Sequence, residues 1–153
     1  MDCFLVDENI IYEICKGSDQ GIVCFRALWL IVKKCHKISI NNGLLGKYLK
    51  IINEYQTNNA HHLARLLKYN ILSNTEKFIW PQRLDITLPQ EFREKLRGKK
   101  KEEKDLPLID LALSSRCKFL TLDERLIQRY KQLELPHKYK IIFLSCDAIL
   151  ESK

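Results

Sequence analysis

Two short apolar runs, each followed by an aspartate, constrain the fold of this 153-residue chain more than any other feature. The first is Cys3–Val6 followed by Asp7, and the second is residues 118–122 followed by Asp123. Neither run alternates polar with apolar residues, and such runs are typical of strands buried on both faces of a parallel sheet. Helical patterns separate the two runs, so we predict an α/β fold.

The rest of the chain supplies further helices and strands. Apolar residues at helical spacing predict helices at residues 8–16, 22–34, 44–55, 60–69, 106–115 and 124–132. Apolar runs predict strands at 37–40 and 140–145, with short extended pieces at 71–74 and 85–89. Because strands alternate with helices, we predict one domain over residues 1–153, a three-layer α/β/α sandwich around a central parallel sheet.

The most polar stretch, residues 93–104, has two possible interpretations. It fits an exposed loop or a frayed helix end, and it also fits a basic contact for a phosphate backbone. Regular structure is expected to resume at Asp105. Aspartate is a favoured N-cap residue and suits the start of a helix at 106–115. Pro107 is compatible with this start, because proline is tolerated in the first turn of a helix.

Charge and cysteine content limit the partners and the compartment. The net charge of +7 is compatible with a polyanionic partner and also with a merely solvated basic surface. Six cysteines without a CxxC pair suggest free buried thiols in a reducing cytosol, hence a cytoplasmic protein. No signal peptide is evident, and the most apolar run, residues 22–32, is too short to span a bilayer, which takes about 20 apolar residues.

Three aspartates are expected to share one site. Asp7 and Asp123 end strands, and ligands of open parallel sheets bind at the carboxyl ends of the strands. Asp105, at the start of a helix, can face the same crevice. Clustered carboxylates repel and need a counter-charge such as Mg²⁺ or Mn²⁺, which can activate water and stabilise charge on a phosphoryl oxygen. Alternatively, each aspartate only caps a helix or ends a strand.

In three ordered motifs the chain resembles the PIN domain family. Residues 4–9 (FLVDEN) are similar to its opening strand and D-x-N turn. Residues 105–112 (DLPLIDLA) are similar to its aspartate with an alanine seven residues later on a helix. Residues 119–126 (FLTLDERL) are similar to its strand, threonine, spacer and aspartate.

The resemblance implies a Rossmann-like sandwich and an Mg²⁺- or Mn²⁺-dependent ribonuclease acting on RNA. It makes Asp7, Asp105 and Asp123 the catalytic, metal-binding carboxylates, with Asn9 and Thr121 as supporting polar groups. It also implies a homodimer and, for a toxin of a toxin–antitoxin pair, an antitoxin partner.

Two departures from the family pattern remove negative charge. Lys47 stands where the family usually has a helix glutamate, and Arg125 stands where many members carry another acid. Three readings stay open: three aspartates suffice for cleavage, a neighbouring acid substitutes, or the domain is a scaffold that binds RNA or a protein without cutting. The candidate substitutes are Glu54, Asp110 and Glu124.

A zinc site is a further alternative. His61 and His62 are adjacent in sequence, and His36 follows Cys35. Adjacent residues on a helix point about 100° apart, which is poor spacing for ligands of one metal ion. Surface or capping histidines are therefore the preferred interpretation.

Overall fold

A five-stranded parallel sheet forms the centre of the molecule, with strand order β3-β2-β1-β4-β5. The computed structural model describes residues 2–57, 62–96 and 100–152. Its strands are β1 Cys3–Val6, β2 Lys37–Ser39, β3 Phe78–Ile79, β4 Lys118–Leu120 and β5 Phe143–Leu144. Every strand pairing in this sheet is parallel, which confirms the predicted α/β class.

Helices cover both faces of the sheet and complete the predicted three-layer sandwich. They are α1 Glu8–Lys16, α2 Asp19–Lys33, α3 Asn42–Thr57, α4 His62–Leu66, α5 Gln90–Leu96, α6 Lys100–Ser115, α7 Glu124–Gln132 and α8 Cys146–Glu151. A π-helical turn, Leu67–Leu72, continues α4. Helix α1 packs against α2, α3 and α4, and α2 packs against α8. Because crossovers between parallel strands are almost always right-handed, the strand order puts α5, α6 and α7 on the opposite face.

The predicted apolar faces supply the core. The central strands β1 and β4 contribute buried Leu5 and Phe119, and the helices contribute residues such as Ile14, Ile52 and Ile109. These side chains belong to one cluster that continues through both faces of the sheet. None of the helices in the described part of the chain is long and apolar enough to cross a membrane.

The predicted start of α6 is wrong. This helix begins at Lys100, so Asp105 lies inside it and does not cap a helix that starts at residue 106. Lysine and glutamate are strong helix formers, so the polar run of residues 100–104 extends the helix. Pro107 also lies beyond the first turn.

Other errors concern short elements. The strand predicted at 140–145 shrinks to Phe143–Leu144, and β3 was not predicted. The predicted extended piece at 71–74 begins inside the π-helical turn, and the piece at 85–89 contains no strand. Parts of the predictions at 60–69 and 93–104 concern residues 60–61 and 97–99, which lie outside the described residues.

The prediction that every cysteine is a free thiol is wrong. Cys3 and Cys117 form a disulfide between the amino ends of β1 and β4, with their Cα atoms 4.7 Å apart. The two cysteines are 114 residues apart in sequence but adjacent in the sheet, so only the strand order brings them together. Cys15, Cys24 and Cys146 are buried free thiols, as predicted.

The junction of α1 and α2 is held by close backbone packing. Gly17 ends α1 with a φ of 73°, in the left-handed region that favours glycine. Ser18 caps α2 by accepting a hydrogen bond from the Gly21 N–H, and its hydroxyl lies 2.6 Å from a carboxylate oxygen of Glu13. A Cβ atom at Gly21 would lie 2.0 Å from the Glu13 carbonyl oxygen. The two helices can therefore meet only because residue 21 has no side chain.

We expect Gly21→Ala to destabilise the fold by roughly 1–3 kcal/mol, the usual range for overpacking. Gly46→Ala is the matched control, because a Cβ atom there meets nothing within 4 Å. Glycine to alanine inside a helix otherwise stabilises by about 0.5–1 kcal/mol. Chemical denaturation of both variants should therefore show opposite signs, and two changes of the same sign would contradict the close packing at Gly21.

Candidate active site

The order of the strands selects one crevice at the carboxyl edge of the sheet. From β1 the chain moves outward to β2 and β3, and it then returns to the other side of β1 to form β4 and β5. The direction of connection thus reverses between β1 and β4. In open α/β sheets this reversal opens a crevice in which ligands bind. Asp7 and Thr121 are the residues that directly follow these two strands.

Asp7 occupies the N-cap position of α1 but does not use its side chain as a cap. Its backbone N–H extends the strand pairing by donating to the Leu120 carbonyl at 2.9 Å. One carboxylate oxygen instead accepts a 2.8 Å hydrogen bond from the Thr121 hydroxyl, and the residue is only 3% exposed. Helix capping therefore does not explain the buried carboxylate of Asp7.

Asn9 and Thr121 connect the two strand ends. The Asn9 amide nitrogen donates to the Thr121 hydroxyl oxygen at 3.3 Å, and the Asn9 amide oxygen lies 3.4 Å from the Leu122 N–H. The Asp123 N–H also donates to the Thr121 hydroxyl oxygen, at 3.1 Å. The two polar residues expected beside the aspartates thus lie beside Asp7 and fix the turn that leads to Asp123.

Burial raises the pKa of the Asp7 carboxyl above its usual value. The hydrogen bond from the Thr121 hydroxyl opposes this shift in pKa. The backbone N–H of Asn9 opposes it as well, because it lies near the carboxylate, although it does not reach the geometry of a capping hydrogen bond. The negative charges of Glu8 and Asp123 add to it. Burial and like charges both disfavour the ionised form of the Asp7 carboxyl group.

The other two aspartates stand in different settings. Asp123 caps α7, with one carboxylate oxygen accepting from the Leu126 N–H at 3.2 Å. Asp105 is half-buried and lies one turn before Ile109, on the buried side of α6. Helix α6 packs on β1 and β2 and then leads into the amino end of β4, so its earlier turns lie toward the carboxyl edge.

Lys47 lies at the rim of the crevice. Its ammonium group is 3.8 Å from a carboxylate oxygen of Glu8, and both side chains are partly exposed. The next residue, Tyr48, is buried and donates its hydroxyl hydrogen bond to the Val6 carbonyl at the end of β1. Tyr48 thereby holds α3 against β1, the strand that Asp7 follows.

The roles of Glu8 and Tyr48 were not predicted from the sequence. For Glu8, its position directly after Asp7 was the available signal.

One of the proposed substitute acids is already neutralised. Asp110 is buried and accepts from Arg93 at 2.7 Å and from the Leu88 N–H at 2.9 Å, so it anchors a loop to α6. Glu54 and Glu124 are exposed. In the described ranges, no three His, Cys, Asp or Glu side chains are grouped so that they could hold a metal ion.

The histidines also have separate positions. The ring of His36 accepts a hydrogen bond from the Asp2 N–H at the amino edge, away from the carboxylates. His62 begins α4, and His61 lies outside the described residues.

Comparison of the chain with protein-family models, with curated proteins and with solved structures found no match in any of the three.

Proposed function

We propose that this protein is a metal-dependent RNA endonuclease that hydrolyses phosphodiester bonds at the crevice between β1 and β4. The observation that carries the proposal is the buried carboxylate of Asp7. This carboxylate makes no capping hydrogen bond to α1, accepts from Thr121 and lies near Asp123 at the point where the strand order reverses. Buried carboxylates with raised pKa values in such a crevice are candidates for function.

The residues present fit a hard divalent cation held by few protein ligands. Mg²⁺ commonly takes one or two carboxylates and keeps several waters. The first candidates are Asp7 and the Asp123 carboxylate oxygen that does not accept from Leu126. Asp105 is a third candidate from the family resemblance alone, because the described side chains include no group of three metal-ligating residues. A bound Mg²⁺ or Mn²⁺ supplies positive charge to a phosphoryl oxygen and lowers the pKa of a water. Thr121 and Asn9 would then fix the orientation of the Asp7 carboxylate.

RNA is the proposed substrate, for two reasons. The positive net charge favours a polyanion, and the three ordered motifs resemble ribonucleases of the PIN family. A homodimer and an antitoxin belong to the same proposal. A cytoplasmic location also belongs to it, but the Cys3–Cys117 disulfide argues against it, because such bonds are rare in a reducing compartment.

A second candidate is a PIN-like scaffold that binds RNA or a protein without cutting it. Lys47 and its contact with Glu8 favour this alternative, because a positive charge at the rim opposes cation binding. Partly exposed ion pairs contribute about 0–1 kcal/mol, so fold stability does not explain the presence of Lys47.

The test is cleavage of mixed structured and single-stranded RNAs with Mn²⁺, with Mg²⁺ and with EDTA. Wild type is compared with Asp105→Asn, Asp123→Asn and Lys47→Glu, and with the control Asp85→Asn. Asp85 is exposed in the loop before α5. We expect metal-dependent cleavage by wild type, a loss of about 100-fold or more in both aspartate variants of the site, and no change in the control.

The result with Lys47→Glu separates the two candidates. If wild type cleaves RNA and Lys47→Glu cleaves it faster, then the lysine only weakens metal binding. Cleavage by Lys47→Glu alone would establish the scaffold, with a native site disabled by one side chain. Cleavage that survives Asp105→Asn but not Asp123→Asn would remove Asp105 from the site.

A further inference from the structure

A second charged surface lies at the opposite, amino edge of the sheet. Arg116, Lys118, His137, Lys138 and Lys140 line one cleft with a volume of about 480 Å³. We call it the basic cleft. Arg116 precedes β4, Lys118 is the first residue of β4, and Lys140 comes shortly before β5. The residues that line the cleft, all of them in the described part of the chain, include no Asp or Glu.

The charges of the basic cleft are only partly neutralised. Lys118 forms an ion pair with Asp2 at 2.9 Å, so its charge is already compensated. Arg116, Lys138 and Lys140 are exposed. Lys138 lies 4.9 Å above the centre of the Tyr139 ring, a contact that leaves its charge in place. Three exposed cations therefore line one concave surface whose described lining residues include no carboxylate. Glu134, which lines a neighbouring cavity with Lys140, does not line the basic cleft.

The floor of the basic cleft is apolar. It includes Ala112 and Leu113 of α6, the loop residue Ile86, and Ile141 and Ile142 before β5. Ile142 is 60% exposed although it is a large apolar residue. An apolar floor between cationic walls suits a ligand with negative groups along its edges and apolar faces between them, which is the chemistry of a nucleotide chain.

The backbone at Arg116 has a conformation that glycine adopts without strain. Its φ is 55°, in the left-handed region, at the C-terminal end of α6 where glycine is favoured. Cys35 and Glu134 have the same conformation after α2 and α7, so the conformation alone does not mark a site. The left-handed conformation does make Arg116→Gly a suitable variant, because glycine removes the positive charge and relieves the backbone strain at this position.

We propose that the basic cleft binds the phosphodiester backbone of single-stranded RNA, at a surface distinct from the carboxylates around Asp7. The inference rests on the proposed function only in that RNA is the ligand of both surfaces, and it does not depend on cleavage. The basic cleft would hold a segment of the RNA at the amino edge of the sheet, whereas the proposed site of hydrolysis lies at the carboxyl edge.

The test is fluorescence anisotropy with a labelled oligouridine in EDTA, which separates binding from metal-dependent cleavage. The variant Arg116→Gly/Lys138→Ala/Lys140→Ala is compared with wild type and with Arg26→Ala/Lys33→Ala/Lys50→Ala. The control removes the same amount of charge from exposed positions on α2 and α3. We expect the cleft variant to lose affinity by about tenfold or more. The slope of its affinity against salt should fall by about 0.7 for each phosphate that the protein no longer neutralises. The control should change little.

Three results would overturn the proposal. One is an equal loss of affinity in the cleft and control variants, which would mean that only net charge matters. The second is full displacement of the RNA by inorganic phosphate, which would indicate a site for single anions. The third is equally tight binding of polyglutamate, which would indicate a surface for an acidic peptide. The single variant Arg116→Gly should bind RNA more weakly with an unchanged or higher melting temperature, so misfolding cannot mimic the expected result.

Discussion

Asp7→Asn is expected to abolish RNA cleavage and at the same time to stabilise the fold. Asparagine has nearly the same shape and can still accept the hydrogen bond that the Thr121 hydroxyl donates to Asp7. The substitution removes the negative charge of a carboxyl group whose pKa is raised by burial. Such changes at functional sites often stabilise the folded state by about 0.5–2 kcal/mol. Cleavage assays and chemical denaturation of one preparation would measure both effects.

The stability gain should depend on pH with a defined sign. Because folding raises the pKa of Asp7, its protonated form favours the folded state. That contribution is fully present below the unfolded pKa near 3.8 and is lost as the pH rises through the folded value. The advantage of Asp7→Asn should therefore be largest at neutral pH and should disappear below about pH 4.

Metal binding provides a control that does not require activity. Mn²⁺ is expected to raise the melting temperature of wild type, because a ligand that binds only the folded state stabilises it. The same addition should have no effect on Asp7→Asn. Destabilisation by Asp7→Asn at pH 7, or an equal response of both proteins to Mn²⁺, would argue that Asp7 has a structural role.

Reduction of the Cys3–Cys117 disulfide is expected to cause the largest loss of stability. The bond closes a loop of more than 100 residues, because the cysteines are 114 positions apart. For loops of this length the chain-entropy model gives about 4–5 kcal/mol. In a domain of this size that corresponds to a fall in melting temperature on the order of 10 °C. Thermal unfolding with and without dithiothreitol measures the effect.

The double variant Cys3→Ala/Cys117→Ala should unfold like reduced wild type and should not respond to dithiothreitol. Cys35→Ser is the matched control, because Cys35 is an exposed free thiol and its loss should leave the reductant effect intact. Identical melting of oxidised and reduced wild type would show that the bond contributes nothing to the fold.

The sequence predicted those elements whose residues alone determine them. Helices α1 and α7 have the predicted bounds, because amphipathic spacing and end residues such as Gly17 mark them locally. The two-residue strand β3 has no pattern of its own and exists because it pairs with β2. The Cys3–Cys117 bond depends on contacts between residues far apart in sequence, which composition and spacing do not reveal.

The candidate site was predictable in part for the same reason. Asp7, Asn9 and Thr121 follow or flank strands that are recognisable in the sequence, and the structure brings them into direct contact. The setting of Asp105 was misjudged because the polar run before it forms part of α6. The contact of Lys47 with Glu8 depends on how α3 packs against α1, which the periodicity of either helix does not determine.

The central position of β1 has a consequence for folding during synthesis. This strand is made before both of its partners, because Phe4 pairs on one side with Ile38 and on the other with Lys118. At about 5–20 residues per second, the nascent β1 waits on the order of ten seconds for β4. During that time one edge of an apolar strand stays unpaired, and such edges are templates for aggregation. Parallel pairing between strands that are far apart in sequence also predicts slow refolding in vitro.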